Sequence, residues 1–139
     1  MILLDTNVVS ELMRREPHPA VMAWVDAQPA QHLYISAVTR AEIELGIALL
    51  PDGRRKQGLQ VAAMRMFAEF SGHCRAFDES AARCYGALVA GRVHAGRPIS
   101  VEDAQIAAIA LAGEFVLATR NGADFLGIDG LSLVDPFTD

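Results

Sequence analysis

The sequence predicts an α/β domain with a parallel central sheet of four to five short strands and helices on both faces. Three observations predict it. Short apolar runs alternate along the chain with longer stretches whose apolar residues recur at helical spacing, the pattern of βα units. No repeat, low-complexity segment or Pro/Gly/Ser-rich linker interrupts the 139 residues, so 1–139 reads as one domain. With 52% hydrophobic and 21% charged residues, the composition is globular and not disordered.

Met1 to Leu4 is a short apolar run ending at Asp5, read as a buried strand. A helix is predicted from about Val8 to Arg14, and Pro17 and Pro19 punctuate the way into another that contains Val21, Trp24 and Val25. Leu33-Tyr34-Ile35 reads as the second strand. Ser36 and Thr39 supply start signals for a helix to about Leu50, which Pro51-Asp52-Gly53 stops. The next helix spans roughly Arg55 to Phe70, with Leu59, Ala62, Met66 and Phe70 at helical spacing. Gly72 to Phe77 holds a short strand, and a long helix capped by Asp78 runs to about His94, where Gly96-Arg97-Pro98 ends it. A last helix runs from near Ser100 to Ala112 and is closed by Gly113. Phe115 to Ala118 and Leu131 to Val134 are the remaining strands.

No apolar run approaches the roughly 18–20 residues that cross a bilayer. The first residues meet an acid at once and lack the basic and apolar stretches of a signal peptide, so a cytoplasmic protein with no membrane association is expected. Cys74 and Cys84 agree with a reducing compartment, and His18, His32, His73 and His94 are too scattered for a zinc site. A formal net charge of −5 argues against a protein that simply coats nucleic acid, but leaves room for an enzyme with a local basic patch.

Four acids stand out: Asp5, Glu42, Asp103 and Asp124. Asp5 follows the first strand directly, and Asp124 lies in the loop after the fourth, so both fall near the carboxyl edge where such sheets bind ligands. Each acid has a plainer alternative. Asp5 could cap a helix, Thr39 to Glu42 fits a capping box, Ser100 to Asp103 looks similar, and Asp124 could end a turn. Spacing favours more for two of them. Asp103 precedes Ile106, Ala107 and Ala110 at offsets that place it on the inward face, and Glu42 stands in the same relation to Leu45, Gly46 and Leu49. A carboxylate on an apolar stripe is costly unless something neutralises it, and a cation shared with Asp5 would do so.

Clustered carboxylates raise one another's pKa values unless a divalent cation is present. Oxygen ligands without thiol or imidazole suit Mg²⁺, with Mn²⁺ as a substitute, and the natural reaction is phosphodiester hydrolysis with one ion or two. Thr6, Asn7, Ser36, Thr119, Arg120 and Asn121 lie beside these acids and could hold a water or a phosphate oxygen, or merely cap helices.

At these residues the sequence resembles the PIN-domain family, in particular the VapC/FitB-type toxins of bacteria. The matching pieces are Leu4-Asp5-Thr6-Asn7, the stretch from Ser36 to Glu42, Gly96-Arg97-Pro98-Ile99 leading into Asp103 to Ala108, and Ala118 to Phe125. They occur in family order and span essentially the whole chain. The resemblance implies a PIN-like domain in which Asp5, Glu42, Asp103 and Asp124 are catalytic and hold the metal, with Asn121 a polar accessory. Thr6, Asn7, Ser36 and Thr119 would support them. It implies an endoribonuclease, a homodimer, and a small DNA-binding antitoxin as partner.

Arg54-Arg55-Lys56 forms the densest positive stretch, and with Arg120 it is the candidate path for RNA, although charge runs are usually just solvated. Trp24, Tyr34 and Tyr85 are assigned to packing, or to a dimer face for the helix that carries Tyr85, Leu88 and Val89. Two other functions compete: a different Mg-dependent phosphoryl-transfer enzyme, and a non-catalytic module that binds RNA or a partner. The first commonly needs a second acid two residues after its nucleophilic aspartate, where this chain has Asn7.

Overall fold

The structure, a computed structural model, describes residues 1–138. Five strands form one sheet: β1 (Ile2–Leu4), β2 (Leu33–Ser36), β3 (Cys74–Arg75), β4 (Val116–Ala118) and β5 (Ser132–Val134). All neighbouring pairs are parallel and the order is β3-β2-β1-β4-β5. Among the described residues six α-helices accompany them: α1 (Thr6–Leu12), α2 (Pro19–Asp26), α3 (Ala37–Ala48), α4 (Arg54–Glu69), α5 (Glu79–His94) and α6 (Val101–Ala112). The sheet and its helices match the expected α/β architecture, at the upper end of the predicted strand number.

The order matters for function. From β1 the chain builds outward through β2 to β3, then returns to add β4 and β5 on the other side of β1. The direction of building reverses between β1 and β4, the position at which open α/β sheets bind their ligands beyond the carboxyl ends of the strands. Asp5 and Thr119 are the residues that follow β1 and β4.

Period-two alternation in the short strands supplies both cores. Leu3 and Leu117 face one side and pack with Ala81 and Leu88 of α5 and Ile106 and Ile109 of α6. Leu4 and Ala118 face the other, with Val8, Val9, Val21, Ile43, Ile47 and Ala63 from α1 to α4. Helices thus cover both faces, as expected for an all-parallel sheet. Tyr85 and Val89, both half-buried, pack against the first core around buried Leu88. Tyr34 is likewise enclosed, stacked on His73 and edge-on to Phe115.

Local signals place the helices. The Asp5 side chain caps α1 directly, so the helix starts at Thr6 and not near Val8. Ser36 caps α3, Asp78 caps α5 and Ser100 caps α6, each accepting from the amide three residues on. At the end of α6, a side chain on Gly113 would collide with the Phe115 ring, so only glycine fits there. Glu114 then takes the left-handed conformation at φ 56°, at a cost of about 1 kcal/mol.

The apolar stripe assigned to α3 from sequence is corrected. Its buried residues are Thr39, Ile43 and Ile47, while Leu45 and Leu49 are 59% and 75% exposed. The spacing of Glu42 with Leu45, Gly46 and Leu49 therefore follows an outward face. The β-branched residues, and not the leucines, fill the space under the sheet.

Candidate active site

Asp5 stands at the switch point between β1 and β4 with only 4% of its surface exposed. Its amide donates to Ala118 O at 2.9 Å, which joins the ends of the two strands. Asp5 Oδ1 accepts from the Thr6 amide at 2.8 Å, while Oδ2 accepts from the Thr119 hydroxyl at 2.7 Å and from Asn7 Nδ2 at 3.2 Å. A carboxylate has about four acceptor positions. The three donors leave one on Oδ1. No basic side chain pairs with it: the ion pairs among the described residues are Arg14 with Glu11 and Lys56 with Asp52. Burial pushes the Asp5 pKa up, Thr119, Thr6 and Asn7 work against that shift, and the charge of Asp124 adds to it.

The support around Asp5 is saturated. Thr119 is 1% exposed; it gives its proton to Asp5 and accepts from the Asn121 amide at 3.0 Å and Asn7 Nδ2 at 3.3 Å. Asn7 Oδ1 accepts from the Arg120 amide at 3.1 Å. Asn7 thus holds the turn after β4 against the turn after β1, and both ends of its amide are committed.

A second chain of polar groups leads to Glu42. The Thr6 hydroxyl donates to Glu42 Oε1 at 2.7 Å, so its contact with Thr39 Oγ1 at 3.0 Å must be accepted from Thr39. Ser36 in turn donates to Thr39 Oγ1 at 3.3 Å and accepts the Thr39 amide at 3.0 Å. Every hydroxyl proton therefore points from Ser36 through Thr39 and Thr6 towards the Glu42 carboxylate. Ser36, and not Thr39, caps the helix, so the capping-box alternative for Glu42 does not hold. Thr39 is fully buried, and sequence reading treated it only as a start signal. Burial raises the Glu42 pKa, the Thr6 bond lowers it, and the charges of Asp5 and Glu102 raise it.

Asp103 lies in the first turn of α6, half-buried, with its amide on Ser100 Oγ at 3.2 Å. Its pKa is raised by burial first, then by Asp5, with Asp124 and Glu42 adding and Ser100 opposing. Asp124 is exposed, in a 3-10 turn (Gly122–Phe125), with its amide on Asn121 O at 2.9 Å. The turn alternative for Asp124 is therefore met, yet its charge still reaches Asp5 and Asp103. The four acids act electrostatically as one group. Glu102, which sequence reading passed over, joins it through Glu42; its place beside Asp103 at a helix start was the available signal. Among the described residues no three acid, His or Cys side chains stand close enough to cage an ion unaided.

The arginines divide. Arg55 lines a cavity of about 280 Å³ together with Thr6, Ser10, Arg14 and Glu42. Arg54, next to it in sequence and exposed like it, is not part of that lining. Arg120 places its guanidinium 4.5 Å from the Phe137 ring centre, which holds it at the rim near Asn7.

Residues 2–131 match the family model described as PIN domain. The chain is 41% identical over 138 residues to a VapC ribonuclease, Y4jK, of Sinorhizobium fredii, covering 99% of this chain and 98% of that one. It is 36% identical over 140 residues to the toxin FitB of Neisseria gonorrhoeae, with both chains covered in full. Among solved structures, FitAB bound to a DNA fragment superposes with a TM-score of 0.88 at 36% identity, over 100% of this chain and 97% of that one.

Proposed function

The chain belongs to the PIN-domain family, and from that premise we propose that residues 1–139 form a metal-dependent endoribonuclease, the toxin half of a toxin–antitoxin pair. The observation that carries the proposal is Asp5: a buried carboxylate with three hydrogen-bond donors, no basic partner among the described residues, the charge of Asp124 acting on it, and its own charge acting on Glu42 and Asp103. Buried charge of that kind is costly until a cation offsets it.

The donor set fits a hard divalent ion. It offers carboxylate and hydroxyl oxygen and no thiol or imidazole, which suits Mg²⁺, with Mn²⁺ able to replace it. Asp5, Glu42 and Asp103 would hold the ion, with Asp124 at the rim. Mg²⁺ keeps several waters and uses few carboxylates, so two or three of these acids would suffice. When bound, the ion supplies charge stabilisation for the phosphate oxygens and lowers the pKa of water.

The side chains supply the rest. Thr6, Asn7 and Thr119 fix the rotamer of Asp5 and leave one acceptor position on its Oδ1, and the Ser36–Thr39–Thr6 chain fixes Glu42. Asn121 braces Thr119. Asp103, in the first turn of α6 with its amide on the Ser100 cap, would complete the carboxylate set. Arg55 and Arg120 bring positive charge to a centre that would otherwise repel a polyanion.

The names of the relatives support the substrate class and setting: a ribonuclease, a toxin, and a complex on DNA. This chain would thus work in the cytoplasm as a homodimer, held inactive by a small DNA-binding antitoxin. No helix among the described residues is long and apolar enough to cross a membrane. The test is cleavage of a mixed RNA pool by purified protein in Mg²⁺, Mn²⁺ or EDTA, beside Asp5→Asn. Cleavage that needs the ion and disappears in the variant supports the proposal; cleavage that survives either change overturns it.

A further inference from the structure

Arg92, near the end of α5, is 7% exposed and has no carboxylate within ion-pair distance among the described residues. A buried guanidinium without a counter-ion is costly unless its donors are well used. Here they are. Arg92 Nε donates to Arg97 O at 2.7 Å and Nη1 donates to Leu126 O at 2.6 Å. The Arg97 amide returns a bond to Arg92 O at 2.9 Å, which closes the turn after α5.

The two carbonyls belong to the segments that deliver two of the acids. Arg97 opens the connection that ends in the Ser100 cap and Asp103, and Leu126 ends the 3-10 turn that carries Asp124. Both segments are short and irregular, and neither has a strand ladder to hold it. The charges that bear on Asp5, Glu42 and Asp103 come from neighbouring acids, and Arg92 touches none of them. Its route is geometric. We infer that Arg92 is a positioning residue, a clamp that sets the Asp124 turn and the approach to Asp103 so that the acids converge on one ion.

This inference rests on the metal reading above, and its experiment separates the two. Mn²⁺ affinity is measured by calorimetry on the full chain for the parent, Arg92→Met and Arg92→Lys, each with and without Asp124→Asn. Methionine keeps the buried stem and removes the donors; lysine restores a donor to one carbonyl. Arg92→Met should bind Mn²⁺ about tenfold more weakly, in the range found when groups that orient ligands are lost. Arg92→Lys should recover part of that loss. In the Asp124→Asn background the loss should shrink markedly, because residues that act through one another are not additive. Unchanged affinity in Arg92→Met, or an equal loss in both backgrounds, overturns the clamp while leaving the metal site standing. A parent that binds no Mn²⁺ overturns the metal reading and the clamp with it.

Discussion

Thr119 donates its hydroxyl proton to Asp5 across 2.7 Å, although 114 residues separate them in sequence. The bond exists because β1 and β4 are parallel neighbours, so each strand ends by handing a polar residue to the same edge of the sheet. Thr119→Val keeps the shape and removes both the donor to Asp5 and the acceptor for Asn121 and Asn7. It should cost about 1–3 kcal/mol of stability, as expected for buried polar groups left unpaired. Metal-dependent cleavage should fall about tenfold or more. Thr119→Ser should stay near the parent in both. Urea unfolding and RNA cleavage measure the two effects, and a valine variant as active as the parent would remove Thr119 from the site.

The raised pKa of Asp5 gives stability a pH dependence in metal-free protein. A carboxyl whose folded pKa exceeds its unfolded value stabilises the fold below the ordinary carboxylate range, and that contribution is lost as pH rises through the raised value. Asp5→Asn stays neutral throughout. Compared with the parent in EDTA, the variant should therefore melt progressively higher as pH climbs from about 4, where free carboxylates begin to ionise. Excess Mg²⁺ should erase or reverse the difference, since the ion stabilises only the ionised parent. Paired melting curves at several pH values check this; a difference that does not change with pH would contradict the burial of an ionised Asp5.

The chain announced some of this and concealed the rest for physical reasons. The alternation of short apolar runs with helical periods sufficed for a parallel sheet, and the run that stops at Asp5 sufficed to put that acid at its edge. Strand order was hidden, because alternation constrains neighbours in sequence and not in space. Glu42 does stand beside Thr6, but the stripe used to argue its direction faces outward. What orients it is the Ser36–Thr39–Thr6 hydroxyl chain. Hydroxyls at a helix start look like caps in any sequence, so a fully buried Thr39 leaves no trace there. Arg92 was equally illegible: arginine near a helix end reads as solvated, and only the return of the 122–126 turn shows what it holds.

The corrected face of α3 yields a direct comparison. Ile43 is 7% exposed and Leu49 is 75% exposed, although both are aliphatic residues on one helix. Ile43→Ala should cost about 2–4 kcal/mol through lost burial and the cavity it leaves. Leu49→Ala should change stability by no more than about 0.5 kcal/mol. Denaturant midpoints decide it, and equal costs at the two positions would restore the sequence-based stripe.

Arg54 and Arg55 are adjacent, so sequence could not separate them, whereas the helix turns them in different directions. Only Arg55 shares a cavity wall with Thr6 and Glu42. If the polyanion approaches the acids along that cavity, the cation there must release counter-ions from its phosphates, while a neighbour outside the cavity contributes little. In the inactive Asp5→Asn background, Arg55→Ala should weaken RNA binding and reduce the slope of log affinity against log salt by about one. Arg54→Ala should leave the slope near the parent value. Filter binding across a salt series distinguishes them. Equal changes at both positions would mean that RNA is drawn by the diffuse charge of the α4 start, and no change at either would move its path towards Arg120, held over Phe137.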